Sequence, residues 1–313
     1  MGARVGPRRC PGPGLSCAAS WCITLDVYIS NFAGEYNMHS RIAVVQFGVN
    51  PFAIDDNVER AELRIRQAAD EGAELVVLPE YAVTGVGVGM QDYADTEGRN
   101  LRTFRRLATE YSVDLIPGSW QEKEDDGRIY NTTYYIDRSG EVLARYRKVN
   151  LWLAEKPYVT PGDGAVVADT RLGRVGLAIC WDLAFPELFR GMFRQKAEIA
   201  ICASCWAMED AGTGQRHEPK SEQILIDSCC TARAFENEMA VVFCNTAGTW
   251  KGSKGVLNSA GHSQFAMPFL GRVAVIEDNH EAVLTCELDM SILDEAERCY
   301  EIKADLMDGD SAG

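Results

Sequence analysis

Residues 172–190, LGRVGLAICWDLAFPELFR, carry the reading that decides the fold. Arg174 to Ile179 is a short apolar run punctuated by Gly173 and Gly176, long enough for a buried strand and too short for a helix. Cys180 ends that strand. Asp182 and then Phe185-Pro186-Glu187-Leu188-Phe189-Arg190 read as a sharp turn into a helix, since proline is tolerated in a first helical turn and Leu188 and Phe189 supply an apolar face. A thiol at such an elbow is expected to be lifted out of the sheet toward solvent, with the helix N-terminus behind it favouring the thiolate. A cysteine closing a strand is also an ordinary packing residue, so its meaning depends on its partners.

Outward from this elbow, strands alternate with helices, the signature of a layered α/β protein. Arg41 to Phe47 is the first strand, Asn57 to Glu71 a helix that ends at Gly72, Leu75 to Leu78 a buried strand, and Leu101 to Tyr111 a second helix. The rhythm then changes. Leu115 to Trp120, Tyr130 to Ile136 and Val142 to Lys148 are consecutive strands joined by the turn-forming EDDG and DRSG, which brings antiparallel pairing into the sheet. After the elbow come a strand at Ile199 to Cys202, a helix from Ser221 to Asn237, a strand at Met239 to Asn245, and a glycine-rich segment to Gly261. Closing strands follow at Ser263 to Ala266, Ala274 to Ile276 and Ala282 to Glu287. One domain with two sheets and outer helices, residues 38–290, accounts for this pattern.

Residues 1–37 differ, with Arg4, Arg8 and Arg9, a Pro-Gly-Pro-Gly segment and no acid before Asp26. They read as an N-terminal extension without function, although a basic start followed by Leu15 to Leu25 loosely imitates a targeting segment. Residues 291–313 are expected to form a tail that contributes to an interface.

The 313 residues are 46% hydrophobic and 25% charged, enough to bury a large core. The net charge of −15 argues against nucleic acid or an anionic membrane as partner, because both demand a basic face. No apolar run is long enough to span a bilayer. The eleven cysteines are irregularly spaced, which suits unpaired thiols in a reducing cytoplasm better than a disulfide framework. Cys202-Ala-Ser-Cys205 has the C-x-x-C form but no second ligand pair, and His39, His217, His262 and His280 form no H-E-x-x-H. Neither a metal nor an organic cofactor is expected. Gly309-Asp-Ser311-Ala-Gly313 fits G-x-S-x-G but does not join a predicted strand to a predicted helix. Gly85 to Gly89 lacks the spacing of a phosphate cradle and reads as a loop beside Glu80.

Three further residues sit where chemistry is presented. Glu80, in Leu75-Val-Val-Leu-Pro79-Glu80-Tyr81, stands just past the end of a buried strand, where burial would raise its pKa and make it a usable base. Lys148 ends another strand in YRKVNL. Glu155 precedes the turn Thr160-Pro-Gly-Asp163. Taken singly, each is an ordinary loop or edge charge. Together, LPEY, YRKVNL, Glu155 before TPGD, and ICWDLAFPELFR resemble the carbon-nitrogen hydrolase (nitrilase) superfamily, over about Arg41 to Asp289.

That resemblance implies a four-layer α-β-β-α sandwich of two mixed sheets, paired into a homodimer or a higher homo-oligomer. It implies Cys180 as nucleophile, Glu80 as general base, Lys148 as electrostatic stabiliser, Glu155 as accessory carboxylate, and the Trp181 backbone N–H as an oxyanion donor. The expected reaction is hydrolysis of a small amide or carbamoyl substrate through a cysteine thioester. Nitrile hydrolysis is the alternative, favoured by Trp181 after the nucleophile, while Asp182 and FPELFR look more like the amidase branches. Asn150 stands where histidine is usual. An acyltransferase and a catalytically silent scaffold are the remaining readings. Tyr81, Trp152, Phe185, Trp206 and His217 are candidates to line the substrate pocket.

Overall fold

A strand that is apolar at four successive positions, Ile42 to Val45, must be covered on both faces. The first strand, β1 (His39–Gln46), is covered in this way. The computed structural model describes residues 39–87, 89–252 and 255–310, so the extension read over 1–37 lies outside the described residues. From β1 the chain runs through α1 (Ile54–Asp70), β2 (Leu75–Val77), α2 (Arg99–Tyr111), β3 (Asp114–Ile116), β4 (Trp120–Lys123), β5 (Ile129–Ile136), β6 (Val142–Arg147), β7 (Val167–Thr170) and β8 (Gly173–Ile179). It continues through α3 (Pro186–Arg194), β9 (Ile199–Ala203), α4 (Ser221–Asn237), β10 (Ala240–Cys244), β11 (Thr249–Gly252), β12 (Gly255–Asn258), β13 (Gln264–Met267), β14 (Gly271–Val275), β15 (Ala282–Asp289), α5 (Ser291–Tyr300) and α6 (Ile302–Asp310).

The strands form two mixed sheets. The first has the order β15-β1-β2-β3-β5-β4, with β6 also on β5; the second has the order β14-β13-β10-β9-β8-β7. Each holds a parallel centre, β1-β2-β3 in the first and β8-β9-β10 in the second, with antiparallel strands outside. The alternation along β1 and β2 separates the layers. Ala43, Val45, Val76 and Leu78 pack with Ala61, Ile65, Phe104 and Leu107 of α1 and α2. Ile42, Val44, Leu75 and Val77 belong instead to the core shared with the second sheet. Ile226, Cys230 and Ala234, spaced four apart on one face of α4, join that core from outside the second sheet, as do Leu188, Phe189 and Met192 of α3. The architecture is therefore the expected α-β-β-α sandwich.

Three local differences from the sequence reading have physical causes. The strand expected across Leu115–Trp120 is two strands, because Gly118 sits at φ +74° and a Cβ there would come within 2.0 Å of the Pro79 carbonyl oxygen. This close approach seats the loop that carries Glu80. β7 and the β11–β12 hairpin were not anticipated, since their pairing comes from partner strands and not from a local apolar pattern. Past residue 290 the chain turns at once into α5, whose Leu293 and Ala296 are buried.

Candidate active site

The site forms where strand ends from the two sheets meet. Cys180 follows the last residue of the parallel strand β8 and opens a 3-10 turn, Cys180–Ala184, ahead of α3, in which Pro186 occupies the first turn. Glu80 follows β2 by three positions, and its N–H donates to the Ser204 carbonyl just past β9 at 3.2 Å. Cys180 and Tyr81 have φ of +49° and +58°, left-handed conformations that cost non-glycine residues and persist only when the surroundings impose them. Backbone bends at both positions aim their neighbours into one interior point.

Lys148 immediately follows β6, and its N–H donates to the Asn131 carbonyl of β5 at 2.9 Å. The Thr160-Pro-Gly-Asp163 turn packs against this corner. A Cβ on Gly162 would stand 2.2 Å from the Arg147 carbonyl oxygen, and the Gly162 N–H donates to the Lys148 carbonyl at 2.8 Å. The Lys148 Nζ donates to Glu80 Oε1 at 2.9 Å and to Glu155 Oε2 at 2.7 Å, with all three residues no more than 5% exposed. Cys180 completes the group, interacting through its side chain with the Glu80 carboxylate and lying in the field of Lys148.

Burial separates these groups electrostatically. Glu155 is held below the usual carboxylate range by Lys148 and by hydrogen bonds from Tyr81 and Asn131, which overcome its desolvation. Lys148 is held well above the ordinary lysine value by the Glu155 and Glu80 carboxylates, against its own desolvation. Glu80 moves up, because burial and the neighbouring Glu155 charge outweigh Lys148. Lys148 and Glu155 thus stay charged, and Glu80 is the member whose proton is mobile. Cys180 departs from the sequence expectation. It is 8% exposed, not lifted toward solvent, and burial with the Glu80 charge pushes its thiol well above the ordinary value. Burial therefore favours the neutral thiol at this position, outweighing any pull from the helix behind it.

The candidate pocket residues fall into three groups. Trp152, Trp181, Phe185 and Trp206 meet around the elbow. The Trp181 ring centroid lies 4.6 Å from Trp152, 6.0 Å from Phe185 and 5.4 Å from Trp206. Tyr81 is part of the polar network, donating through its hydroxyl to Glu155 Oε1 at 2.6 Å. His217 lies exposed at the end of the 3-10 segment Met208–Arg216 and does not line the cavity at the site. The Trp181 N–H stands in the first turn after Cys180, where backbone donors have no acceptor within the helix.

Comparison with known proteins places these features in a family. The carbon-nitrogen hydrolase family matches residues 41–298. The chain belongs to the carbon-nitrogen hydrolase family. It is 30% identical over 266 residues to the omega-amidase NIT2-A of Xenopus laevis, covering 82% of this chain and 90% of that one. A carbon-nitrogen hydrolase from Helicobacter pylori G27 superimposes with a TM-score of 0.79 at 24% identity, over 86% of this chain and 96% of that one. An amidase variant from Nesterenkonia sp. AN1 superimposes with a TM-score of 0.66 at 23% identity, over 82% and 93% of the two chains. It carries the acetamide moiety of fluoroacetamide covalently added at its active site cysteine. This carbon-nitrogen hydrolase therefore acts on carbon–nitrogen bonds.

Two groups in this carbon-nitrogen hydrolase escaped the sequence reading. Asn131, fully buried in β5, donates through Nδ2 to Glu80 Oε1 at 2.8 Å and to Glu155 Oε1 at 2.9 Å, clamping both carboxylates. The Cys205 N–H donates to Glu80 Oε2 at 3.0 Å, so the C-x-x-C segment serves through its backbone. Asp182 and Asn150, noticed only as family marks, join the Cys180 elbow to the strand that ends just before Lys148. Asp182 accepts from the Ile179 N–H at 2.9 Å, the Tyr146 hydroxyl at 2.7 Å, and the Asn150 N–H and Nδ2 at 2.8 and 3.0 Å. Asp182→Ala should lower unfolding free energy by about 3 kcal/mol or more, since it orphans several buried donors at once. Asp182→Asn, which keeps an acceptor, should cost less. Chemical denaturation of both variants measures the difference.

Proposed function

We propose that this chain is a cysteine-dependent amidase that hydrolyses a small amide or carbamoyl substrate to an acid and ammonia or an amine. The observation that carries the reading is the buried contact of Lys148 with Glu80 and Glu155, at 2.9 and 2.7 Å, beside the Cys180 thiol. Glu80 takes the thiol proton as sulfur attacks the carbonyl carbon. The resulting oxyanion is met by the Lys148 ammonium and the Trp181 N–H, donors of a kind worth about 10²–10³-fold each. Glu80 then passes its proton to the leaving nitrogen, the carbon–nitrogen bond breaks, and the acyl group remains on sulfur as a thioester. In the second half Glu80 takes a proton from water, hydroxide attacks the thioester, and the acid leaves as the thiol is restored.

The covalent adduct at the cysteine of the Nesterenkonia amidase supports this course by analogy. All eight described cysteines are free, which supports a reducing cytoplasmic setting. Assembly into a homo-oligomer belongs to the same proposal and is measured by sedimentation. The test of the activity is ammonia release from purified protein across matched amides, carbamoyl amines and nitriles. Turnover of amides supports the reading, and turnover of nitriles alone replaces it with a nitrilase.

The pH profile carries a separate expectation. Glu80 must be ionised to accept the thiol proton, and burial raises its pKa. Activity should therefore fall on acidification with an acid limb above the ordinary carboxylate value of about 4.3. A profile of kcat/KM against pH gives the limb, and Glu80→Gln should lower the rate roughly 10²–10⁴-fold. A limb at or below the ordinary value would contradict the role given to Glu80.

A further inference from the structure

Beside the catalytic group lies a cavity of about 300 Å³ whose walls include Trp152, Tyr158, Trp250, Met90, Cys205 and Asp210. It is linked to the reacting centre through two of its wall residues, Cys205 and Trp152. The Cys205 N–H binds Glu80, the Trp152 N–H donates to Glu155 Oε2 at 2.8 Å, and the Trp152 ring touches that of Trp181 next to the nucleophile. The side of the substrate remote from the scissile bond has this space to occupy.

The chemistry of the walls selects what fits there. Among the described lining residues there is no lysine or arginine, and Lys148 is already matched by two carboxylates. Asp210 supplies a carboxylate held in place by the Ala207 N–H, which donates to its Oδ2 at 2.9 Å. Its pKa is pushed up to about 6 by burial and by the neighbouring Glu222 and Glu209 charges, so a cation placed beside it would relieve the cost of its charge. Trp152, Tyr158 and Trp250 add aromatic rings, whose faces attract cations. Among the described lining residues an anionic group meets a carboxylate and no cation, whereas a cation finds a carboxylate and rings.

Resting on the amidase reading, we infer that the enzyme takes amides or carbamoyl compounds whose far end carries a protonated amine, with Asp210 as the specificity-determining residue. The experiment is a competition among three amides of equal chain length ending in an ammonium, a methyl or a carboxylate group, scored as relative kcat/KM. The ammonium-ended amide should exceed the carboxylate-ended one by about a hundredfold, combining the gained pairing with the like-charge penalty. Asp210→Asn keeps an acceptor for the Ala207 N–H and should reduce that ratio about tenfold, the scale of one charge-assisted hydrogen bond. Because both substrates compete in one sample, the ratio is independent of the folded fraction.

Glu209→Gln removes a nearby charge outside the wall and should move the ratio by less than about threefold. Preference for the carboxylate-ended amide, or an unchanged ratio in Asp210→Asn, overturns the inference while leaving the amidase reading intact. An equal fall in Glu209→Gln overturns the assignment to Asp210. Failure of all three amides overturns the amidase reading and this inference with it.

Discussion

Cys180→Ala is expected to fold like the parent protein and to release ammonia roughly 10⁴-fold more slowly or worse, because the sulfur that carries the acyl group is removed. Alanine tolerates the φ of +49° no less well than cysteine, and the side chain removed is small, so the melting temperature should move little. Cys180→Ser should be nearly as inactive. The same Glu80 that can take a thiol proton is a far weaker match for a hydroxyl, whose pKa lies well above that of any thiol. Circular dichroism and ammonia release on the same samples separate the two effects. An alanine variant retaining more than a few per cent of the parent rate would remove Cys180 from the mechanism.

Lys148→Met should damage both stability and activity. The ammonium is 1% exposed between two carboxylates that are themselves 2% and 5% exposed. Replacing it with an apolar chain of similar length leaves two buried acids side by side without a cation, and breaking a buried pair in this way costs about 3–5 kcal/mol. The loss has a pH signature. In the variant the folded-state pKa values of Glu80 and Glu155 rise above their unfolded values, so the folded state binds protons more tightly. The deficit should be largest at neutral pH and shrink as pH falls toward the unfolded carboxylate value of about 4.3. Urea unfolding at several pH values measures this, and a deficit independent of pH would contradict the ion cluster. Turnover should fall by at least about 10²-fold, since the oxyanion loses a donor.

The elbow, both sheets and the three charged partners were legible because each leaves a local mark. Strand-like runs end at or just before Cys180, Glu80 and Lys148, and α4 was predicted at the residues observed because its buried positions recur four apart. The exposure and ionisation of Cys180 were misread. The sequence indicates a turn into a helix but not that Trp181 packs with Trp152 and Trp206 beside it or that Cys180 is buried. Asn131 left no mark at all. It is one polar residue in a strand, and its importance comes from meeting Glu80 from 51 positions away. Asp210 is likewise an acid, in the first turn of the 3-10 segment Met208–Arg216, and only the folded cavity gives it aromatic company.

The most direct test of the central claim is the mass of the enzyme caught during turnover. Acid quenching with an amide substrate, followed by peptide mapping, should find the acyl group of that substrate on the peptide containing Cys180 and on no other. The adduct should disappear when substrate is exhausted and be absent from Cys180→Ala. Steady ammonia release with no acyl group on Cys180, or with the group on a different residue, would contradict the account.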